Sequence, residues 1–172
     1  MAVPEIFNTI EQSSFSIWLR ESPSVFGFYF ILLFHTIGMA LVVGASAVVN
    51  LRILGVASAL PLQPLKRLFS FMWVGLGINV ATGLLLLTAY PTKALTNPDF
   101  YVKLSFITLA VITVRRMKMQ LFDDTSLSEA AMIAKGKTMA MWSLIFWIGA
   151  VSAGRLLSET SRYFLYGHTY GG

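Results

Sequence analysis

The chain has 172 residues, about one domain's worth, of which 56% are apolar and 12% charged, and its mean hydropathy is +0.70. Soluble domains carry about 25% charged residues and leave much of their surface in water, so this composition excludes an ordinary water-soluble fold and makes lipid the second solvent. A net charge of +5 would suit nucleic acid, but the cations stand between apolar runs rather than in a patch with aromatics, which argues against it; the lack of cysteine excludes disulfides, thiolate metal sites and covalently attached haem.

Residues 1–24 lack a basic start followed by an apolar core, so no signal peptide is expected and the first span must direct insertion itself. Ile6, Phe7, Ile10, Ile17 and Trp18 fall near one face of a helix, with Glu5, Glu11, Ser14 and Arg20 as polar companions. This pattern predicts an amphipathic helix lying in the membrane interface, or packing on a partner.

Four runs then approach the roughly 20 apolar residues that cross the hydrocarbon as helix. The first, Val25–Asn50, is opened by Ser22-Pro23. The second, Phe69–Tyr90, is entered through Pro64 and ended by Pro91. The third begins at Asn97-Pro98-Asp99, a cap, a first-turn proline and an acid, and stops near Val114, where Arg115 and Arg116 follow. It reaches the needed length if Lys103 snorkels. The fourth, Met139–Leu157, starts as a helix earlier, at the capping-box-like Ser126-Leu127-Ser128-Glu129. No polar/apolar alternation of about 10 residues supports a β-barrel. The expected fold is therefore an all-α integral membrane protein: an amphipathic segment (1–24), a four-transmembrane-helix bundle (25–158) and an extramembrane tail (159–172).

Eight cations (Arg52, Lys66, Arg67, Arg115, Arg116, Lys118, Lys135, Lys137) lie on one side of these spans. Five (Arg20, Lys93, Lys103, Arg155, Arg162) lie on the other, so both termini are expected outside the cytoplasm.

Polar groups inside the spans need a reason. Isolated Ser and Thr bond back to their own helix, which leaves His35, Asn79, Lys103 and Arg155. Counted from Val25, His35 is about 15 Å deep, near mid-membrane. Gly38, Val42 and Ala45 continue its face, and Gly75, Asn79 and Gly83 form a second small-residue stripe that the first can meet. His35 has two readings: a hydrogen-bonding link to Asn79 or a backbone carbonyl, or an axial ligand to haem iron. Lys103 and Arg155, near the outer helix ends, either snorkel or turn inward to neutralise haem propionates. Met-x-x-Met motifs, paired carboxylates, activated nucleophiles and phosphate-binding glycine loops are all missing.

The segment Leu33-Phe34-His35-Thr36-Ile37-Gly38, continuing to Gly44 and Leu51-Arg52, resembles the first core helix of small bacterial four-helix membrane proteins. These include the membrane protoporphyrinogen oxidase and the membrane domain of copper-resistance protein D. Lys66-Arg67-Leu68 through Met72-Trp73 to Gly83-Leu84-Leu85-Leu86-Leu87 is similar to their second helix, and Tyr101-Val102-Lys103-Leu104 to the start of their third. The chain resembles more closely a family of uncharacterised bacterial four-helix proteins of this length. The resemblance implies a bacterial inner-membrane location and a b-type haem, with His35 as its ligand and Lys103 nearby. It does not extend to a histidine late in the third helix, where this chain reads Val114-Arg115-Arg116, or to copper ligands. A second axial histidine would have to be His168. The expected function is a haem b redox protein exchanging electrons with quinone or a partner protein. The alternative is a non-catalytic accessory subunit of a larger membrane complex.

Overall fold

The computed structural model describes residues 5–22 and 27–166, with side chains to residue 160. All regular structure among them is helical. The N-terminal segment forms two short helices, α1 (Glu5–Glu11) and α2 (Ser14–Glu21), rather than one amphipathic helix. Ser13 interrupts them because its hydroxyl accepts from Ser16 N–H, an N-cap that starts a new helix. Ser22 caps the end of α2 through its N–H to Trp18, so it does not open the first long helix, and Pro23 lies outside the described residues.

Helix α3 (Phe28–Ile53) ends in a Schellman turn. Gly55 N–H bonds the Arg52 carbonyl and Val56 N–H the Leu51 carbonyl, while Gly55 takes a φ of 101° that a side chain would resist. A 3₁₀ turn (Gln63–Arg67) carrying Pro64 leads into α4 (Leu68–Ala89). Pro91 ends α4 by lacking an N–H, and opens the short α5 (Pro91–Leu95). Helix α6 (Pro98–Met117) begins as expected, with Asn97 Oδ1 accepting from Asp99 N–H. It runs through Arg115 and Arg116 and continues as a π turn (Lys118–Phe122) closed by Asp123 N–H to the Lys118 carbonyl. Helix α7 (Glu129–Tyr166) carries on past residue 158. Its cap is Ser128, whose hydroxyl accepts from Ala131 N–H, and Glu129 is thereby free for another partner.

Among the described residues three segments are long and apolar enough to cross a membrane: Phe28–Ile53, Gln63–Ala89 and Glu129–Thr160. Helix α6 falls short of that description because Asp99, Lys103, Arg115 and Arg116 interrupt its 20 residues. It nevertheless lies along α7, as α4 lies along α3, and α3 joins the two pairs through α7. One core cluster, around Val49, Ile53, Phe69, Met117, Phe122 and Met132, fills the end where α3 stops and α4 starts. A second, of Val42, Ala110, Trp147 and Ala150, lies further along the bundle. Where all four helices meet, a void of only about 10 Å³ remains, so packing there is tight.

Both ends of the bundle are clasped by polar groups. At the α3 C-terminus, buried Arg52 donates to the Leu60 carbonyl and, at 2.5 Å, to Glu129 Oε1. At the opposite end Thr160 donates to Asp99 Oδ2 at 2.6 Å and accepts from Asn97 Nδ2 at 2.9 Å. Helix α2 closes the same end by serving the orphan carbonyls of α4. Ser16 Oγ donates to Thr88 O and Arg20 to Ala89 O at 2.7 Å, with the Arg20 guanidinium over the Tyr90 ring. The docking face of α2 is therefore Ser16 and Leu19, and Phe15, Ile17 and Trp18 point outward.

Candidate functional site

The two small-residue stripes meet. A Cβ on Gly38 would stand 2.9 Å from the Gly75 carbonyl oxygen, and one on Gly75 would stand 2.8 Å from that of Gly38. Only glycine at both places lets α3 and α4 approach so closely. On the side of this contact nearer the start of α3, half-buried His35 lies over Gly83, with Cε1 3.6 Å from where a Cβ would be.

The hydrogen-bonding partner of His35 is Thr82, at 2.9 Å from Nδ1, and not Asn79. Thr82 already donates its hydroxyl proton to the Ile78 carbonyl at 2.6 Å. Its oxygen must therefore accept, so Nδ1 carries the proton and a neutral His35 keeps its lone pair on Nε2. Sequence reasoning set Thr82 aside as bonding only to its own helix, yet the same hydroxyl does both. Asn79 instead donates to the Gly75 carbonyl at 3.2 Å, and its Nδ2 is the nearest atom to a Cβ on Gly38.

Lys103 is half-buried, with its Cδ and Cε against Gly154 of α7, and its charge acts on His35. Measured from Phe28, His35 is about 10 Å from the start of α3, and Lys103 about 7–8 Å from the start of α6. His35 thus stands in the N-terminal third of α3. Arg155 does not join this group: its side chain is 79% exposed and pairs with Glu159 at 3.5 Å, one turn along α7. His168 lies outside the described residues. Among the described residues no three His, Cys, Asp or Glu side chains converge as a metal site.

A second polar group, between α3 and α7, was not foreseen. Trp147 Nε1 donates to Ser46 Oγ at 3.0 Å, and Asn50 Nδ2 reaches Ser143 Oγ at 2.9 Å and Ser46 Oγ at 3.1 Å. All four side chains are buried. Two polar pairs at i,i+4, Ser46/Asn50 and Ser143/Trp147, were its sequence signal.

Beyond the helix ends, Asp123 bridges Lys66 at 2.8 Å and Lys118 at 2.9 Å. Hydrogen bonds from these two ammonium groups hold its carboxyl below the ordinary aspartate range. The neighbouring Asp124 is likewise lowered, by hydrogen bonds from the Ser126 hydroxyl and N–H.

Comparison of the chain with protein-family models, curated proteins and solved structures finds no match.

Proposed function

We propose that the chain is a four-span bacterial inner-membrane protein with both ends outside the cytoplasm, and that its outer third is a b-type haem site for electron exchange with quinone or a partner protein. Exposed apolar side chains on three long helices, such as Tyr29, Val74, Leu84 and Ile148, support immersion in lipid. Support for a fourth span comes from α6, which follows α7 from Asn97–Thr160 through Gly149, packed on the Phe106 ring, to the inner core. Such a length of contact with a candidate span supports a crossing of α6 beside it.

The observation that carries the haem reading is the His35–Thr82–Ile78 hydrogen-bond chain. It fixes the tautomer, orients the ring and leaves Nε2 as a donor, as the outer partners of ligating histidines do. His35 would hold the iron through Nε2, and Lys103 would neutralise a propionate. A bound haem would supply one-electron redox chemistry; the protein residues orient the imidazole through Thr82 and bring Lys103 within electrostatic range of it. The close α3–α4 contact at Gly38 and Gly75 leaves no room for a macrocycle in that seam, so a haem held by His35 would lie outside it.

Oxidised and dithionite-reduced absorption spectra of the solubilised protein test this. The expected result is a Soret band lost in His35→Ala; colourless protein from haem-replete cells would sink the haem reading.

An accessory-subunit reading is favoured by one observation, the outward-facing Ile6, Phe15 and Trp18 on the docked N-terminal helices. It expects co-purification with a larger assembly and full tolerance of His35→Leu.

A further inference from the structure

The net charge of the chain is concentrated at one end. The eight cations from Arg52 to Lys137 share that end with Asp123, Asp124 and Glu129 alone, so it carries the whole net charge of +5. The five remaining cations are matched by five remaining acids. At the charged end the structure holds a cleft of about 720 Å³ lined by Gln63, Pro64, Lys66, Arg67, Ser70 and Lys118. No carboxylate lines it. Asp123 stands at its edge and answers one of the three cations, so an excess of about two positive charges faces the opening. Arg67, at the junction of the 3₁₀ turn and α4, and Ser70, on the first turn of α4, are both exposed.

We propose that this cleft binds a phosphate group, carried by an anionic lipid headgroup or free in solution. A planar guanidinium, two ammonium groups and a hydroxyl converging on one opening match the oxygens of a phosphate ester. A cleft between helix ends at the rim of an apolar bundle stands at the depth of phospholipid headgroups. Asp123 holds Lys66 and Lys118 toward each other across the opening, so the pair is arranged before any anion arrives.

Native mass spectrometry of the full chain from micelles of mixed phosphatidylcholine and phosphatidylglycerol tests the lipid source, and equilibrium dialysis against radiolabelled inorganic phosphate tests the free one. The double variant Lys66→Gln/Arg67→Gln removes two lining charges; Arg116→Gln/Lys137→Gln removes two charges from the same end outside the cleft. Retention of one phosphatidylglycerol or one phosphate, weakened at least about tenfold by the first variant and less than about twofold by the second, supports the proposal. Arg67→Gln alone, which leaves the Asp123 bridge intact, reports the same loss in part if the double variant does not fold. Equal weakening by both double variants means a diffuse field and overturns the site, as does the absence of retained lipid and phosphate.

Discussion

Gly75→Ala places a methyl group 2.8 Å from the Gly38 carbonyl oxygen, 2.8 Å from Leu41 Cβ and 2.9 Å from Val42 Cγ2. Ordinary contacts of this kind lie near 3.5 Å, so α3 and α4 must part by roughly 0.6 Å. Two of the three obstacles are backbone or Cβ atoms that no rotamer change can move. Overpacking of this size costs about 1–3 kcal/mol, and the gain from replacing a helical glycine returns about 0.5–1 kcal/mol. The net expectation is a loss of about 0–2.5 kcal/mol. Gly77→Ala, two residues along the same helix, meets nothing within 4 Å and keeps only the gain, about 0.5–1 kcal/mol. Reversible unfolding in mixed sodium dodecyl sulfate and dodecyl maltoside micelles, followed by circular dichroism, measures both. The same parting of helices lengthens the 2.9 Å His35–Thr82 contact to about 3.5 Å, the limit of a hydrogen bond, so Gly75→Ala weakens the site as well. A Gly75→Ala as stabilising as Gly77→Ala, or equal losses at both glycines, would refute the close-contact argument.

Thr82→Val keeps the shape of the side chain but removes the acceptor that fixes His35. Haem affinity, measured by spectral titration, should fall about 10–100-fold, and unchanged affinity would contradict the assigned tautomer. Glu129→Gln leaves the buried Arg52 guanidinium without its counter-charge. Because Glu129 is itself 43% exposed, the expected loss in the unfolding assay is held to about 1–2 kcal/mol. The Asp123 bridge should be insensitive to pH from 5 to 8. Its pKa is depressed in the folded protein, so its contribution is complete above the ordinary aspartate value of about 3.9 and is lost only as pH falls through the lower folded value. Stability of wild type and Asp123→Asn that converged on approach to pH 5, rather than in stronger acid, would reject this assignment.

The helical class, the stripes at Gly38 and Gly75 and the cap at Asn97 were legible because each depends on local sequence: apolar run length, spacing of small residues, side-chain chemistry at a helix start. The N-terminal break at Ser13 was less so, since one hydroxyl outweighs an apolar face that looks continuous on paper. At the site, His35 and Lys103 were marked by their polarity alone. The choice of Thr82 over Asn79 depends on helix rotation fixed by the glycine contact, which periodicity does not resolve to one residue. Arg155 shows the converse, a cation at the right depth whose nearest carboxylate, Glu159, lies one turn along its own helix.

The haem site and the phosphate cleft both assume that α6 crosses the membrane and so brings Lys103 and Lys118 to opposite ends. The natural sequence has no cysteine, so single exposed cysteines can be introduced at Gln12, Ser58, Thr96 and Ser126 without other changes. Labelling with a membrane-impermeant maleimide in cells whose outer membrane alone has been opened should reach Gln12→Cys and Thr96→Cys, and should reach Ser58→Cys and Ser126→Cys only after the inner membrane is permeabilised. Labelling of Thr96→Cys and Ser126→Cys from the same side would contradict the four-span account.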